Sequence, residues 1–325
     1  LGGAARYQHQ QRVMTSARPS GIVVGGALLV LCFLCPQKLL SQGSEGGAHH
    51  LYRLGQRCAQ SGDYRCAEER YLMAIELDST HVGALDGLGF IHALHKRFRQ
   101  AEITFRRVLE IDPDYAPTLY KLGKIYLIHQ DLKAAKDAYE RVIASEPTYF
   151  PAHHGLGMIY AQGGNLPQAA EHFKTVLRLK SDHGPSRYRL GAIYLQQQQY
   201  AEAITALQQA AGLIANEPSV HDMLGNAYMA VGRLSEAADA FATSLRLAPD
   251  RADVHDKLGL VYTEQSHALL GAAMKDQDKL AVAVEEHRRA VELAPGDGWF
   301  QHNLAMAYER QRDYEQAEAQ YRKAL

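Results

Sequence analysis

Residues 116–149 read APTLYKLGKIYLIHQDLKAAKDAYERVIASEPTY, and residues 150–183 read FPAHHGLGMIYAQGGNLPQAAEHFKTVLRLKSDH. Laid one over the other, Leu122-Gly123 answers to Leu156-Gly157, Tyr126 to Tyr160, Ala135 to Ala169 and Tyr139 to Phe173, an offset of 34 residues. The Leu-Gly pair recurs with the same period at Leu54-Gly55, Leu88-Gly89, Leu190-Gly191, Leu224-Gly225 and Leu258-Gly259. Counting each unit from its first residue, Leu, Gly and Tyr at positions 7, 8 and 11 share one helical face. Ala at 20, an aromatic at 24 and a small or apolar residue at 27 form a second face. Turn formers separate the two, as at Gly62-Asp63, Gly163-Gly164-Asn165 and Gly232. The spacing predicts a helical hairpin in which Gly and Ala allow close approach and the aromatic fills the next groove. One hairpin cannot bury its apolar face alone, so neighbours must stack.

These residues resemble the tetratricopeptide repeat (TPR), over residues 48–325. The units begin near Ala48, Val82, Ala116, Phe150, Gly184, Pro218, Ala252 and Gly298. The resemblance implies an all-α solenoid of about eight hairpins, a right-handed superhelix whose concave wall is built from first helices. Two units depart from the pattern. The seventh holds twelve extra residues between Tyr262 and Leu280, expected to lengthen both helices into a protruding hairpin or to form a loop. The eighth has Ala305 in place of Gly, and Tyr321 and Ala324 are placed to face a further helix, which reads as a truncated repeat array.

Composition sets outer bounds. With 35 Lys+Arg against 36 Asp+Glu in 325 residues, no basic excess points to nucleic acid. A hydrophobic share of 46% excludes an acidic disordered chain. Four Cys are too few for a disulfide scaffold.

The N-terminal region carries a separate signal. Ile22 to Cys35 is an uncharged apolar run preceded by Arg18. Its roughly 21 Å helical length falls short of the ~30 Å hydrocarbon core, which fits a signal-peptide core better than a span. Ser41-Gln42-Gly43 offers a small-x-small cleavage site, and Met14 a true start. Residues 1–13 are then upstream sequence, 14–43 a signal peptide or membrane anchor, and 44–47 a linker. Either reading exports the remainder, to a periplasmic or extracellular site, with a membrane contact only if the segment at 22–35 stays uncleaved.

Chemistry-bearing motifs are sparse. Gly87-Leu88-Gly89 and Gly155-Leu156-Gly157 imitate a dinucleotide loop but lack the third Gly and the preceding strand. The 16 His include His92/His95 and His153-His154, without zinc spacing, so they read as packing or surface residues. No nucleophile elbow, phosphate loop or carboxylate pair stands out. The expectation is no catalytic residue, no metal and no cofactor. Cys58 and Cys66 lie four residues to either side of Gly62 and face each other across an antiparallel hairpin. Secreted Sel1-like repeat proteins look similar there, with such a pair bridging the two helices. Two buried thiols are the alternative, since Cys58 stands where Tyr stands elsewhere.

In the TPR family, positions 2, 5, 6, 9, 12 and 13 tend to line the groove. Here the resemblance assigns that role to Tyr52, Arg53, Phe90, Tyr120, Lys121, Lys124, His154, Met158, Tyr188 and Arg189. The second half supplies Asp222, Met223, Asn226, Asp253, Asp256 and Glu264, a more acidic set. No Lys occupies position 5, which excludes the carboxylate clamp of chaperone-tail TPR proteins. The Asn ladder of O-linked N-acetylglucosamine transferase superhelices is missing too. The expected partner is a protein or peptide, not nucleic acid. The first expectation is an exported, non-catalytic scaffold, serving envelope assembly or secretion. The alternatives are a binding or regulatory arm of a larger enzyme, such as a glycosyltransferase-like protein, and a structural spacer.

Overall fold

The computed structural model describes residues 44–268 and 277–325. The readings made for residues 1–43, including the apolar run Ile22 to Cys35 and the cleavage site, lie outside the described residues. So does the tip of the seventh unit's expected protrusion. Among the described residues there are sixteen helices, which pair into eight hairpins, and no strand. They are α1 Ser44–Gln60, α2 Tyr64–Leu77, α3 Val82–Leu94, α4 Phe98–Ile111, α5 Ala116–Ile128, α6 Leu132–Ser145, α7 Phe150–Gln162 and α8 Leu166–Leu179. There follow α9 Gly184–Gln196, α10 Tyr200–Leu213, α11 Pro218–Ala230, α12 Leu234–Leu247, α13 Ala252–Ala268, α14 Gln277–Leu293, α15 Gly298–Gln311 and α16 Tyr314–Ala324. This is an all-α solenoid of helical hairpins. None of the described helices is long and apolar enough to cross a membrane.

The turn inside each hairpin has one recurring conformation. Position 15 of the unit takes a positive φ at Gly62, Lys96, Gln130, Gly164, Gln198, Gly232 and Arg312. Glycine adopts that left-handed region freely, while the four other side chains each carry a cost of about 1–2 kcal/mol. The next residue caps the second helix. Asp63 accepts from Cys66 N at 3.0 Å, Asp131 from Ala134 N at 3.0 Å and Asn165 from Gln168 N at 3.3 Å. Each satisfies an orphan donor of the first turn.

The described residues form two compact units that divide between Gly87 and Leu88. In the first, the ring of Tyr71 fills the space left by Gly55 and Gly87, where an added Cβ would meet it at 2.6 Å in each case. Burial raises the Tyr71 phenol pKa to about 12, and the neighbouring Tyr52 and Asp86 add to the rise. Cys58 of α1 and Cys66 of α2 form a disulfide across this hairpin, with Cα atoms 5.7 Å apart. Residues 44–47, read as a linker, belong to α1. Gly46-Gly47 disfavour a helix, but Gly47 and Ala48 are buried, and that packing overrides local propensity.

The second unit repeats the same joint. Phe105, Tyr139, Phe173, Leu207 and Phe241 lie fully buried against Gly89, Gly123, Gly157, Gly191 and Gly225. Each such side chain contributes about 1.5–3 kcal/mol by leaving water. The seventh hairpin breaks the series, because His287 takes the aromatic's place beneath Gly259. Part of the twelve-residue insertion enters as helix: α13 and α14 run 17 residues each, against 13 and 14 for α11 and α12.

A second joint links successive hairpins through position 4 of the first helix. His153 Nε2 donates to Pro147 O, Arg187 Nη2 to Ser181 O, His221 Nε2 to Ala215 O, His255 Nε2 to Pro249 O and Gln301 Nε2 to Pro295 O, at 2.6 to 3.1 Å. These donors satisfy carbonyls left over just past the preceding helix. The abundance of first-helix histidine thus has a structural use.

Candidate peptide-binding face

The residues assigned to the groove fall into separate local groups. Tyr52 sits in the first unit among rings, 4.9 Å from His81 and 6.1 Å from Tyr71 between centroids, and Gln56 Nε2 donates to its hydroxyl at 2.6 Å. Arg53 is exposed beside it. In the second unit Phe90 is 43% exposed, large for an aromatic ring. Met158 is half-buried and packs against the cluster of Ala169, Phe173, Leu190 and Ile193.

Five of the remaining six take part in cation–ring pairs. Lys121 Nζ lies 6.0 Å from the centroid of Phe105, Lys124 Nζ 5.9 Å from that of Tyr120, and Arg189 Cζ 5.5 Å from that of Tyr188. These are long cation–π contacts, each of order 0.5 kcal/mol at a wet surface. They orient a charge more than they hold it. Among the described residues, neither Lys124 nor Arg189 has a carboxylate within ion-pair distance. Tyr120 is fixed from behind by Tyr139 and Tyr149, at 5.8 and 5.4 Å between centroids, and burial raises its pKa. The Tyr188 phenol is likewise raised by burial, with Arg189 opposing.

His154 is held more closely than its neighbours. Its Nδ1 lies 2.8 Å from Ser186 Oγ, and its ring meets Phe173 and His183 at 5.5 and 5.1 Å between centroids. Burial, then the positive character of His183 and Arg189, hold its pKa down at about 4. The ring is therefore neutral at pH 7.

The acidic second half read from the sequence requires correction. Asp222 is buried and receives Arg251 Nη2 and Lys257 Nζ, both at 2.9 Å. Asp253 shares the same two cations at 2.9 and 3.4 Å. Burial works against the Asp253 charge, yet Arg251 and Lys257 keep its pKa below the ordinary value. Asp256 is 4% exposed and accepts from His287 Nδ1 at 2.7 Å and from Asn303 Nδ2 at 3.1 and 2.9 Å. Asp222 and Asp256 are consumed inside the solenoid, and Asp253, half-exposed, is paired with its own chain's cations. Glu264 alone of the set's acids is exposed without such a partner among the described residues.

Sequence reasoning missed Ser186 and His183, which lock His154, and the Asp256–His287–Asn303 cluster. A signal existed for the second: His287 occupies the aromatic position once the twelve-residue insertion is subtracted. Among the described residues no group of three or more His, Cys, Asp or Glu could hold a metal ion.

Tetratricopeptide repeat profiles match residues 120–184, 160–227, 194–260 and 300–325. No curated protein sequence matches the chain. Among solved structures, PilF of Pseudomonas aeruginosa superposes with a TM-score of 0.61 at 17% identity, covering 69% of this chain and 100% of PilF. YrrB, a TPR protein with an unusual peptide-binding site, gives 0.52 at 21% identity over 63% of this chain and 97% of YrrB. A TPR protein of Parabacteroides merdae gives 0.52 at 15% identity over 80% of this chain and 98% of its own. At these identities the likeness is one of fold. Together the repeat profiles span just over half of the sequence, and the chain belongs to the tetratricopeptide repeat family.

Proposed function

We propose that this chain is an exported, non-catalytic scaffold that binds a peptide or protein segment along the first helices of its third to fifth hairpins. The observation that carries the reading is the row of cation-on-ring pairs at Lys121, Lys124 and Arg189. Rings supply contact area at low entropic cost, and at Lys124 and Arg189 a cation with no carboxylate at ion-pair distance among the described residues favours an incoming one. An extended segment bearing carboxylates, with aromatic or apolar side chains between them, suits such a row. YrrB, which shares the fold, has a peptide-binding site, and that parallel supports the class of ligand. The export half of the reading draws on the apolar run Ile22 to Cys35 and is favoured by the oxidised Cys58–Cys66 pair, since disulfides persist in oxidising compartments. Export fits a role in envelope assembly or secretion.

The double substitution Lys121→Glu, Arg189→Glu reverses the local charge at exposed or half-exposed sites and should leave the helix content unchanged. Partners recovered from envelope extract by wild type should bind the variant about tenfold more weakly, with a shallower salt dependence. Equal affinities and equal salt slopes would remove the groove reading. Export is read separately. Intact mass of protein recovered from the envelope should correspond to a chain beginning near Ser44, and a mass retaining residues 22–35 means an anchor instead.

A further inference from the structure

His154 is a groove residue whose ring polarity the structure dictates. Ser186 Oγ lies 2.9 Å from His183 Nδ1, and that same nitrogen accepts the Ser186 backbone N–H at 3.2 Å as the N-cap of α9. A ring nitrogen that accepts from an N–H carries no proton of its own. The serine hydroxyl therefore donates to His183, and its oxygen accepts from His154 Nδ1–H at 2.8 Å. Ser186 is fully buried, so no water competes for these bonds. The relay runs in one direction, from His154 through Ser186 to His183.

Two consequences follow for His154. With its proton on Nδ1, the neutral ring carries a lone pair on Nε2, and that atom has no hydrogen-bond partner among the described residues. The ring also resists protonation. Arg189 and Ser186 of α9 and His183 at its cap face it, with Phe173 of α8 behind it, and Lys180 and Asp182 act on His183. Among the described residues, no carboxylate is a direct neighbour to stabilise an imidazolium. Beside it Arg189 likewise has no carboxylate at ion-pair distance among the described residues.

We propose that His154 Nε2 is the fixed hydrogen-bond acceptor of the groove and selects a ligand that presents an N–H donor next to a carboxylate. An aspartate or glutamate within an extended peptide has that form, its backbone N–H meeting His154 and its carboxylate meeting Arg189. The inference rests on the groove reading above and adds the residue that would choose among acidic peptides.

The test uses the whole chain and two labelled probes: an acetylated, amidated Phe-Asp-Asp-Phe peptide, and the same peptide with both aspartate amides N-methylated. Methylation removes the donors and keeps the carboxylates and rings. Wild type should bind the first about tenfold more tightly than the second, the effect of leaving one semi-buried acceptor unpaired. His154→Phe keeps the ring and should abolish the discrimination. Ser186→Ala frees the ring to change tautomer and should weaken it. Nitrogen-15 ring shifts of the ligand-free protein should show the proton of His154 on Nδ1 at pH 7. A proton on Nε2, or discrimination that survives in His154→Phe, overturns the assignment. Wild type that binds both peptides equally overturns it too, while leaving the groove reading in place. Wild type that binds neither peptide overturns the groove reading and the assignment together.

Discussion

The third and fourth hairpins and the sixth and seventh solve the same packing problem with different chemistry. At position 5, where a first helix meets the residue before the next one, Tyr120 packs on Tyr149 and His154 on His183. In the sixth hairpin Asp222 occupies that place and binds Arg251 across the same junction. At the position-4 joint, His153 Nδ1 faces His172 Nδ1 at 3.1 Å, whereas His255 Nδ1 faces Glu286 at 2.5 Å. Beneath the packing glycine, Phe173 is replaced by His287. A ring stack leaves nearby cations without partners, and an ion pair consumes them. Lys124 and Arg189 stay available in the first region, while Arg251 and Lys257 are spent internally in the second. The difference therefore teaches where a charged ligand can gain binding energy, independently of how many charges each half contains.

The comparison breaks most sharply at Asp256. Its carboxylate accepts from His287 and Asn303, both 1% exposed, and Asn303 Oδ1 already lacks a partner. Asp256→Ala should leave two buried donors unpaired and cost about 3 kcal/mol. Because stacked repeats can open piecemeal, hydrogen exchange across α13 to α15 is the measurement. Protection should fall there and stay unchanged in α5 to α9. The double change Asp256→Leu, His287→Phe converts the joint to the aromatic kind used elsewhere and should recover much of the loss. If Asp256→Ala keeps full protection, the polar cluster is not what holds the seventh hairpin.

Acid separates the two regions next. Burial first, then His183 and Arg189, put the His154 pKa at about 4, and burial and His153 lower that of His172. Both lie below the ordinary imidazole value near 6.5. Between those values the unfolded chain binds more protons than the folded one, so stability falls as pH drops from about 6.5 towards about 4. For Asp253 the folded pKa is depressed, so its contribution is present above the ordinary carboxylate range and is lost only below it. Lowering pH from 7 to 5 should therefore loosen the fourth and fifth hairpins by up to about 2 kcal/mol, discounted for the part of His154 open to water, and spare the sixth. Exchange protection, corrected for the intrinsic pH dependence of the rates, should show that order. Uniform loosening would mean that the ring-based joint is no more acid-sensitive than the ionic one.

The hairpin ladder was legible because its determinants are single residue types at fixed spacing: Leu-Gly at 7 and 8, and a ring at 24. The inter-hairpin joints were not. Position 4 is filled by His, Arg or Gln, which share only an N–H donor, so no one letter repeats. Asp222 looked available because Arg251 is 29 residues away and sits at a position that elsewhere holds Tyr, His, Glu or Asp. Of the groove, the residue types and the pairs Lys124–Tyr120 and Arg189–Tyr188 could be read from register, since each pair lies within one helical turn, whereas Lys121 meets Phe105 of α4. The polarity of His154 could not, because it depends on Ser186, 32 residues on, and on the capping role of His183.

The smallest expected effect sharpens a feature the two regions share. The turn at position 15 is left-handed in every hairpin whose turn is described, but only Gly62, Gly164 and Gly232 suit it. Gln130 adopts φ 60° there and is exposed, so its side chain contributes strain without packing in return. Gln130→Gly removes the clash of Cβ with the following carbonyl, worth about 1–2 kcal/mol, but gives the unfolded chain more freedom, which takes back about 0.4–1 kcal/mol. The net should be a gain of up to about 1 kcal/mol, in the third hairpin alone. Gly232→Gln is the mirror experiment and should destabilise the sixth hairpin by a similar amount, since φ is 73° and nothing contacts the site. Denaturant titration with local exchange in α5–α6 and α11–α12 reads both. Opposite and comparable shifts mean that turn strain is a local property of one backbone angle, carried equally by the aromatic and ionic regions. If Gln130→Gly loses stability instead, the glutamine side chain must supply an interaction that offsets its strained backbone.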